Sequence, residues 1–244
     1  MRKKAPIQKY ILMLPLFGLL IVGCGVHYFP GITGAHVPGV IALPRSGNAV
    51  LSKAKYFSLD GGRIVAFNEE ETSTAFRGHY LWVHSRKYSA ANYGFFAYGG
   101  VYDVERVYEY QDEYGYFGPG MEFNGEIHYP AGPVDLGIGA SLSGAFELGN
   151  FTAFRKNAYR NGRAENDAGM FAFMMSAYPL IRIRASDRTT VAFQFAIGLP
   201  GMISPTITLQ HGNFAFWSSW MPRYLDEPEW KDSIFTIGIG HKVP

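Results

Sequence analysis

Between Val134 and Leu148 apolar residues fall on alternate positions. Val134, Leu136, Ile138, Ala140, Leu142 and Phe146 share one face, and Asp135, Gly137, Gly139, Ser141, Ser143 and Glu147 share the other. Successive side chains of a strand point to opposite sides, so this segment reads as a strand whose two faces meet different surroundings. The same grammar recurs in Met121, Phe123, Ile127 and Tyr129 against Glu122, Asn124, Glu126 and His128, and in Val191, Phe193, Phe195, Ile197 and Leu199 against Ala192, Gln194, Ala196 and Gly198. Two more segments follow it, Ile203 to Gln210 and Phe235 to Gly240. Less regular strands are predicted over 62–68, 75–84, 93–104, 170–184 and 213–221. The total is about ten, within a range of eight to twelve. Turn-forming residues at Pro130-Ala131-Gly132-Pro133, Ser186-Asp187-Arg188 and Gly212-Asn213 predict tight turns. Longer loops are expected over 105–116, 149–167 and 222–232, at the opposite end of the sheet from the tight turns. The expected fold is all-β: an antiparallel up-and-down β-barrel, the arrangement of an outer-membrane protein with short turns on one side and long loops on the other.

Alternation alone does not say which face is inside. A soluble barrel keeps apolar residues within, and a membrane barrel turns them to lipid. Here the polar face is rich in glycine, alanine, serine and threonine with few charges, which suits a crowded lumen better than a water-facing surface, where lysine and glutamate abound. Strands of 9 to 15 residues match or exceed the roughly 9–11 needed to cross the hydrocarbon at a tilt. Tyr129, Phe146, Trp217, Trp220 and Phe235 stand near strand ends, where interfacial girdles form. The closing segment Phe235-Thr236-Ile237-Gly238-Ile239-Gly240 resembles the last strand of small outer-membrane barrels. It departs from their pattern in continuing to His241-Lys242-Val243-Pro244 rather than stopping at an aromatic residue.

The amino-terminal residues have the layout of an export signal. Arg2, Lys3, Lys4 and Lys9 precede the uncharged stretch from Tyr10 to Val22, which at 13 residues is short of the roughly 20 that span a bilayer as a helix. Ile21-Val22-Gly23-Cys24 resembles the lipobox of bacterial lipoproteins. The resemblance implies that residues 1–23 are removed and that Cys24 carries a diacylglyceryl group and an amide-linked acyl chain such as palmitate. It also implies that the protein is anchored through Cys24 at the outer membrane of a Gram-negative cell, with Gly25 compatible with that destination. Residues 24–60, interrupted by Pro30, Pro38 and Pro44, read as a tether with a short strand near Val40 to Leu43, and 61–244 as one barrel domain. Cys24 is the sole cysteine, so no internal disulfide braces the fold. Four of the 22 Lys and Arg lie in the signal, leaving 18 against 20 Asp and Glu, a balance that argues against nucleic-acid binding.

Enzymatic motifs are weak. Gly139-Ala140-Ser141-Leu142-Ser143-Gly144 departs from the G-x-S-x-G nucleophile elbow by one position and sits inside a strand. Neither metal-ligand spacings nor a dinucleotide loop is present, so no metal or cofactor is expected. The inward-facing set Glu122, Glu126, His128, Asp135 and Glu147, with Arg77, His79, Arg182 and Arg184 as counter-charges, is expected to fill the lumen with paired ions, because a buried unpaired charge is expensive. The alternative is a lipid-modifying enzyme, an acyltransferase or deacylase. In it His128 or His79 would serve as base, Glu126 as acidic partner and Ser141 or Ser143 as nucleophile. A third reading is a periplasmic, lipocalin-like lipid carrier. The tyrosines Tyr102, Tyr108, Tyr110, Tyr114 and Tyr116 around an acidic loop read as a hairpin extension or an external recognition surface, and 155–163 as a basic loop able to meet lipopolysaccharide phosphates. Membrane lipid is the expected partner, with lipopolysaccharide or a small hydrophobic ligand as candidates. The sequence sets no oligomeric state and names no substrate.

Overall fold

The computed structural model describes residues 30–34, 52–65, 71–104, 112–164, 169–199, 202–221 and 234–243. Its strands are β1 (Ser52–Val65), β2 (Thr72–Ser85), β3 (Ser89–Val104), β4 (Asp112–Ala131), β5 (Val134–Phe146), β6 (Leu148–Gly149), β7 (Phe171–Ser186), β8 (Thr189–Leu199), β9 (Met202–His211), β10 (Phe214–Met221) and β11 (Ile234–Val243). A 3-10 turn covers Gly31–Gly34, and one helix, α1, covers Asn150–Arg160. Two-residue β6 continues β5 beyond Glu147 and, like β5, pairs with β4. The other ten strands form a meander in which each pairs antiparallel with the next, and β1 pairs with β11 to close the wall. The result is the expected ten-stranded antiparallel barrel.

Tight turns at 132–133, 187–188 and 212–213 join strands at one end of the barrel. Gly132 and Gly212 take positive φ there (64° and 58°), a conformation in which a side chain would be strained. The connections at the other end include the long excursion that carries β6 and α1.

The face question is answered by exposure. Leu136, Phe193 and Ile237 are 51%, 46% and 67% exposed on the outer wall, and they belong to an apolar belt drawn from every long strand. Asp60, Arg77, His79, Asn124, Gln194 and Thr208 are buried on the inner side. Polar inside and apolar outside is the polarity of a membrane barrel, the inverse of a lipid carrier with an apolar cavity. A cation on this outer wall is correspondingly costly. Phe193→Arg, near the middle of β8, is expected to destabilise the barrel by about 2–4 kcal/mol in a bilayer, measured as a lowered urea midpoint in vesicles.

Three elements differ from expectation. The barrel starts at Ser52 rather than near Gly62, because Lys53 and Lys55 stand on the outer side of β1 at its turn end and break the apolar rhythm before Phe57 and Leu59 resume it. β4 begins at Asp112, so Tyr114 and Tyr116 belong to the wall and not to a loop. The loop expected over 149–167 contains α1, whose Phe151, Thr152, Arg155 and Ala158 make a single buried face too short to stand out as a periodic signal. The strand expected near Val40 to Leu43, the loop over 222–232, and Cys24 lie outside the described residues.

Candidate functional site

The lumen is built in two unlike halves. Strands β1, β2, β4, β5 and β7 supply charges, and β8 to β11 supply neutral Gln194, Ser204, Thr206, Thr208, Gln210, Ser219 and Thr236. In the charged half Arg77 Nε donates to Asp60 Oδ1 at 2.7 Å, and the His79 ring bridges two carboxylates. Its Nε2 is 2.8 Å from Asp60 Oδ2 and its Nδ1 is 2.5 Å from Glu122 Oε1. Both ring nitrogens can donate at once only in the imidazolium form, in which His79 would complete a compact set of two cations and two anions. Further toward the turn end Arg182 Nη2 donates to Glu126 Oε1, and His128 Nδ1 lies 3.4 Å from the same oxygen. Asp135 stands in register opposite Arg182. Neutral contacts tie the network to its neighbours: Asn124 Nδ2 donates to Asn92 Oδ1 at 2.7 Å, and the Ser141 and Ser176 hydroxyls are 2.8 Å apart.

Glycine makes room for this filling. A Cβ on Gly139 would collide with the Tyr178 ring, and one on Gly238 would collide with the indole of Trp217. The glycine that opens the elbow-like run is therefore the seat of an aromatic ring. Across the lumen both amide atoms of Gln194 and the hydroxyl of Ser204 are buried without a protein partner, places suited to ordered water.

At the loop end the barrel holds a second, partly aromatic core. Ile32 is fully buried, and Gly31 packs so close to Tyr116 that a Cβ would meet its ring at 2.6 Å. Tyr102 stacks on Phe151 of α1 with centroids 4.0 Å apart. Its hydroxyl donates to Glu71 Oε2 at 2.6 Å. Glu147 is the hub: it accepts from the Gly31 backbone N–H, from Thr152 Oγ1 at 3.2 Å and from Arg155 Nη2 at 2.7 Å, and both charged side chains of the Glu147–Arg155 pair are 0% exposed. One carboxylate thus fastens the amino-terminal turn and the helix to the same point of the wall.

The expected site residues are mostly brought together, in pairings that sequence did not define. Glu122, Glu126, His128, Arg77, His79 and Arg182 share the lumen network, while Arg184 lies exposed near the turn end. Asp60, central to the network, falls in the segment expected to be a tether; its signal was its place at period two from Tyr56 and Ser58. The candidate catalytic set does not assemble around His128 and Ser141. His128 pairs in register with Gly137, four residues along β5 from Ser141, which corresponds to about 13 Å. Ser141 and Ser143 instead border a cavity of about 10 Å³, roughly one water, shared with His79 and Glu122. With a carboxylate at each ring nitrogen, His79 has no free lone pair to take a proton from serine. Tyr102 and Tyr116 point into the mouth core rather than outward, and Arg155 is sequestered by Glu147 and not available to phosphate, whereas Arg160 and Arg163 are exposed. Tyr108 and Tyr110 lie outside the described residues. Among the described residues no group of three or more His, Cys, Asp or Glu could hold a metal, and no helix is long and apolar enough to cross a membrane.

No family model and no curated protein matches this chain. Among solved structures it is similar to the TodX deltaS2S3 mutant monoaromatic hydrocarbon channel, with 10% identity, 84% of this chain and 70% of that chain covered, and a TM-score of 0.36. It is also similar to a mutant of Rh. blastica porin, with 8% identity, 79% of this chain and all of that chain covered, and a TM-score of 0.21.

Proposed function

We propose that this protein is an outer-membrane β-barrel with a filled lumen, additionally held by lipid on Cys24, whose role is structural or binding rather than catalytic. The observation that carries the reading is the pairing of buried charges across the lumen, Asp60 with Arg77 and His79, Glu122 with His79, and Glu126 with Arg182, inside a wall whose outer face is apolar. Side chains committed to one another in this way hold the wall in shape, and both ring nitrogens of His79, the histidine nearest Ser141 and Ser143, are taken up by carboxylates. Six residue steps lead from Cys24 to Pro30, a reach of about 22 Å at full extension. Since Gly31 is fastened at the loop end, acyl chains on Cys24 would enter the leaflet on that side.

Three measurements test the proposal. The detergent-extracted protein should migrate faster on a gel before boiling than after; unshifted migration, with release into buffer when Cys24 is replaced by serine, would favour a soluble carrier. Growth with an alkynyl palmitate should label the wild type and not Cys24→Ser. In planar bilayers no steady porin-like conductance is expected, and a stable open level would overturn the filled lumen. The enzyme reading requires hydrolysis or transfer of a phospholipid acyl chain that disappears in Ser141→Ala with gel migration unchanged.

A further inference from the structure

On the outer wall the apolar belt is interrupted by a groove of about 1090 Å³, open to the surroundings and lined almost wholly by apolar atoms. Its floor is a row of small residues in continuous register, Ala91 with Gly125, Gly125 with Ala140, and Ala140 with Ala177, ending against Ile197. Large side chains flank the row: Ile127 and Ile138, 61% and 60% exposed, stand beside it on the turn side. From Ala91 to Ala177 the row crosses three strand spacings, roughly 14 Å at ~4.8 Å each. It also climbs. Ala91 is two residues from the turn end of β3 at Ser89, and Ala177 is nine from the turn end of β7 at Ser186. A trough that rises from the interface toward mid-membrane, and is about as long as the ~15 Å half-thickness of the hydrocarbon, has the dimensions of one acyl chain.

The lower end of the groove has a different character. Arg86, His84 and Ser89 line it, exposed Lys87 follows Arg86 in the turn, and Lys53 lies in register opposite His84. Glu126 is the single acidic residue on the lining, and its carboxylate turns into the lumen to Arg182. On the β2–β3 side the groove is bordered by a stack in which the Tyr93 ring lies 5.8 Å from Trp82 and 5.6 Å from His84, an interfacial aromatic belt at that level. Cations at the headgroup level and an apolar trough above them are complementary to a single molecule carrying both a phosphate and an acyl chain.

We propose that this groove is a binding site for one anionic phospholipid of the leaflet at the turn end. An acyl chain lies along the row from Ala91 to Ala177, and the headgroup phosphate meets Arg86. The site rests on the membrane placement given above. Its occupant is chosen by charge at one end and by the missing side chains along the floor.

Native mass spectrometry of the full-length protein, exchanged from detergent into mixed micelles of phosphatidylglycerol or phosphatidylcholine, tests it. One retained phosphatidylglycerol is expected, favoured over phosphatidylcholine by about fivefold. Arg86→Ser should bring that ratio near one while a lipid is still retained. Ala140→Phe, which fills the floor from the lipid side, should abolish retention of both. Retention unchanged by Ala140→Phe, or a preference unchanged by Arg86→Ser, overturns the site. A mass that survives denaturation belongs to the acyl groups on Cys24 and is not counted as bound lipid, whereas a dimer joined through this face overturns the site. Gel migration of each variant before boiling reports separately on the barrel: failure there in the wild type refutes the membrane placement, whereas an intact shift without bound lipid refutes only the groove.

Discussion

Glu147→Ala is expected to lower barrel stability by about 3–5 kcal/mol, read as the midpoint of urea unfolding in detergent micelles. The substitution leaves the Arg155 guanidinium at 0% exposure without its carboxylate, and Nε and Nη1 of that arginine already lack a partner. The face of Phe151, 5.5 Å away, remains as a favourable neighbour. The Gly31 N–H and the Thr152 hydroxyl lose their acceptor at the same stroke. Removing both charges together is a different experiment. Glu147→Leu with Arg155→Met should recover most of the loss, because a buried pair replaced by apolar groups of similar volume is often neutral. If the single variant unfolds at the wild-type urea concentration, Glu147 is not the fastening point described above.

Asp60→Ala is expected to cost a similar amount, about 3–5 kcal/mol, by removing the buried carboxylate that both Arg77 Nε and His79 Nε2 address. The side chains of these three residues are only 3%, 7% and 5% exposed, so water gives little screening to whatever remains unpaired. Glu122 still serves His79, but Arg77 has lost the carboxylate that its Nε addresses. Asp60→Asn should fall between the wild type and alanine, since it keeps an acceptor oxygen and loses the charge. The same urea titration ranks the three proteins, and an asparagine variant as stable as the wild type would show that charge is not what Asp60 contributes.

These two clusters also show where sequence reading succeeds. The strands from Val134 and from Thr189 are fully legible, because both of their faces are sorted by membrane and lumen and the sorting has a period of two. β1 is half legible: Phe57 and Leu59 alternate with Ser58 and Asp60, but Lys53 and Lys55 stand on the same outer face near the turn end and mimic a polar tether. The lumen charges on β2, β4, β5 and β7 could be named from their strand face, yet not paired, since pairing depends on the register between neighbouring strands and on reach across them. Arg77 reaches Asp60 across β1–β2, and Arg182 reaches Glu126 over an intervening β5. The mouth core was the least legible part. Pro30-Gly31-Ile32 reads as linker composition, and nothing local says that Ile32 will be sealed under Phe151 and Tyr116.

The seam between β1 and β11 has a kinetic consequence. Its partners run from Lys55 with Val243 to Gly62 with Thr236, so residues near opposite ends of the domain must meet, whereas other neighbouring strands follow one another along the chain. Until that last zipper forms, two rows of unpaired amides face hydrocarbon, an arrangement lipid does not tolerate. On the membrane placement proposed above, insertion and ring closure are one event, slow by the standards of local hairpins.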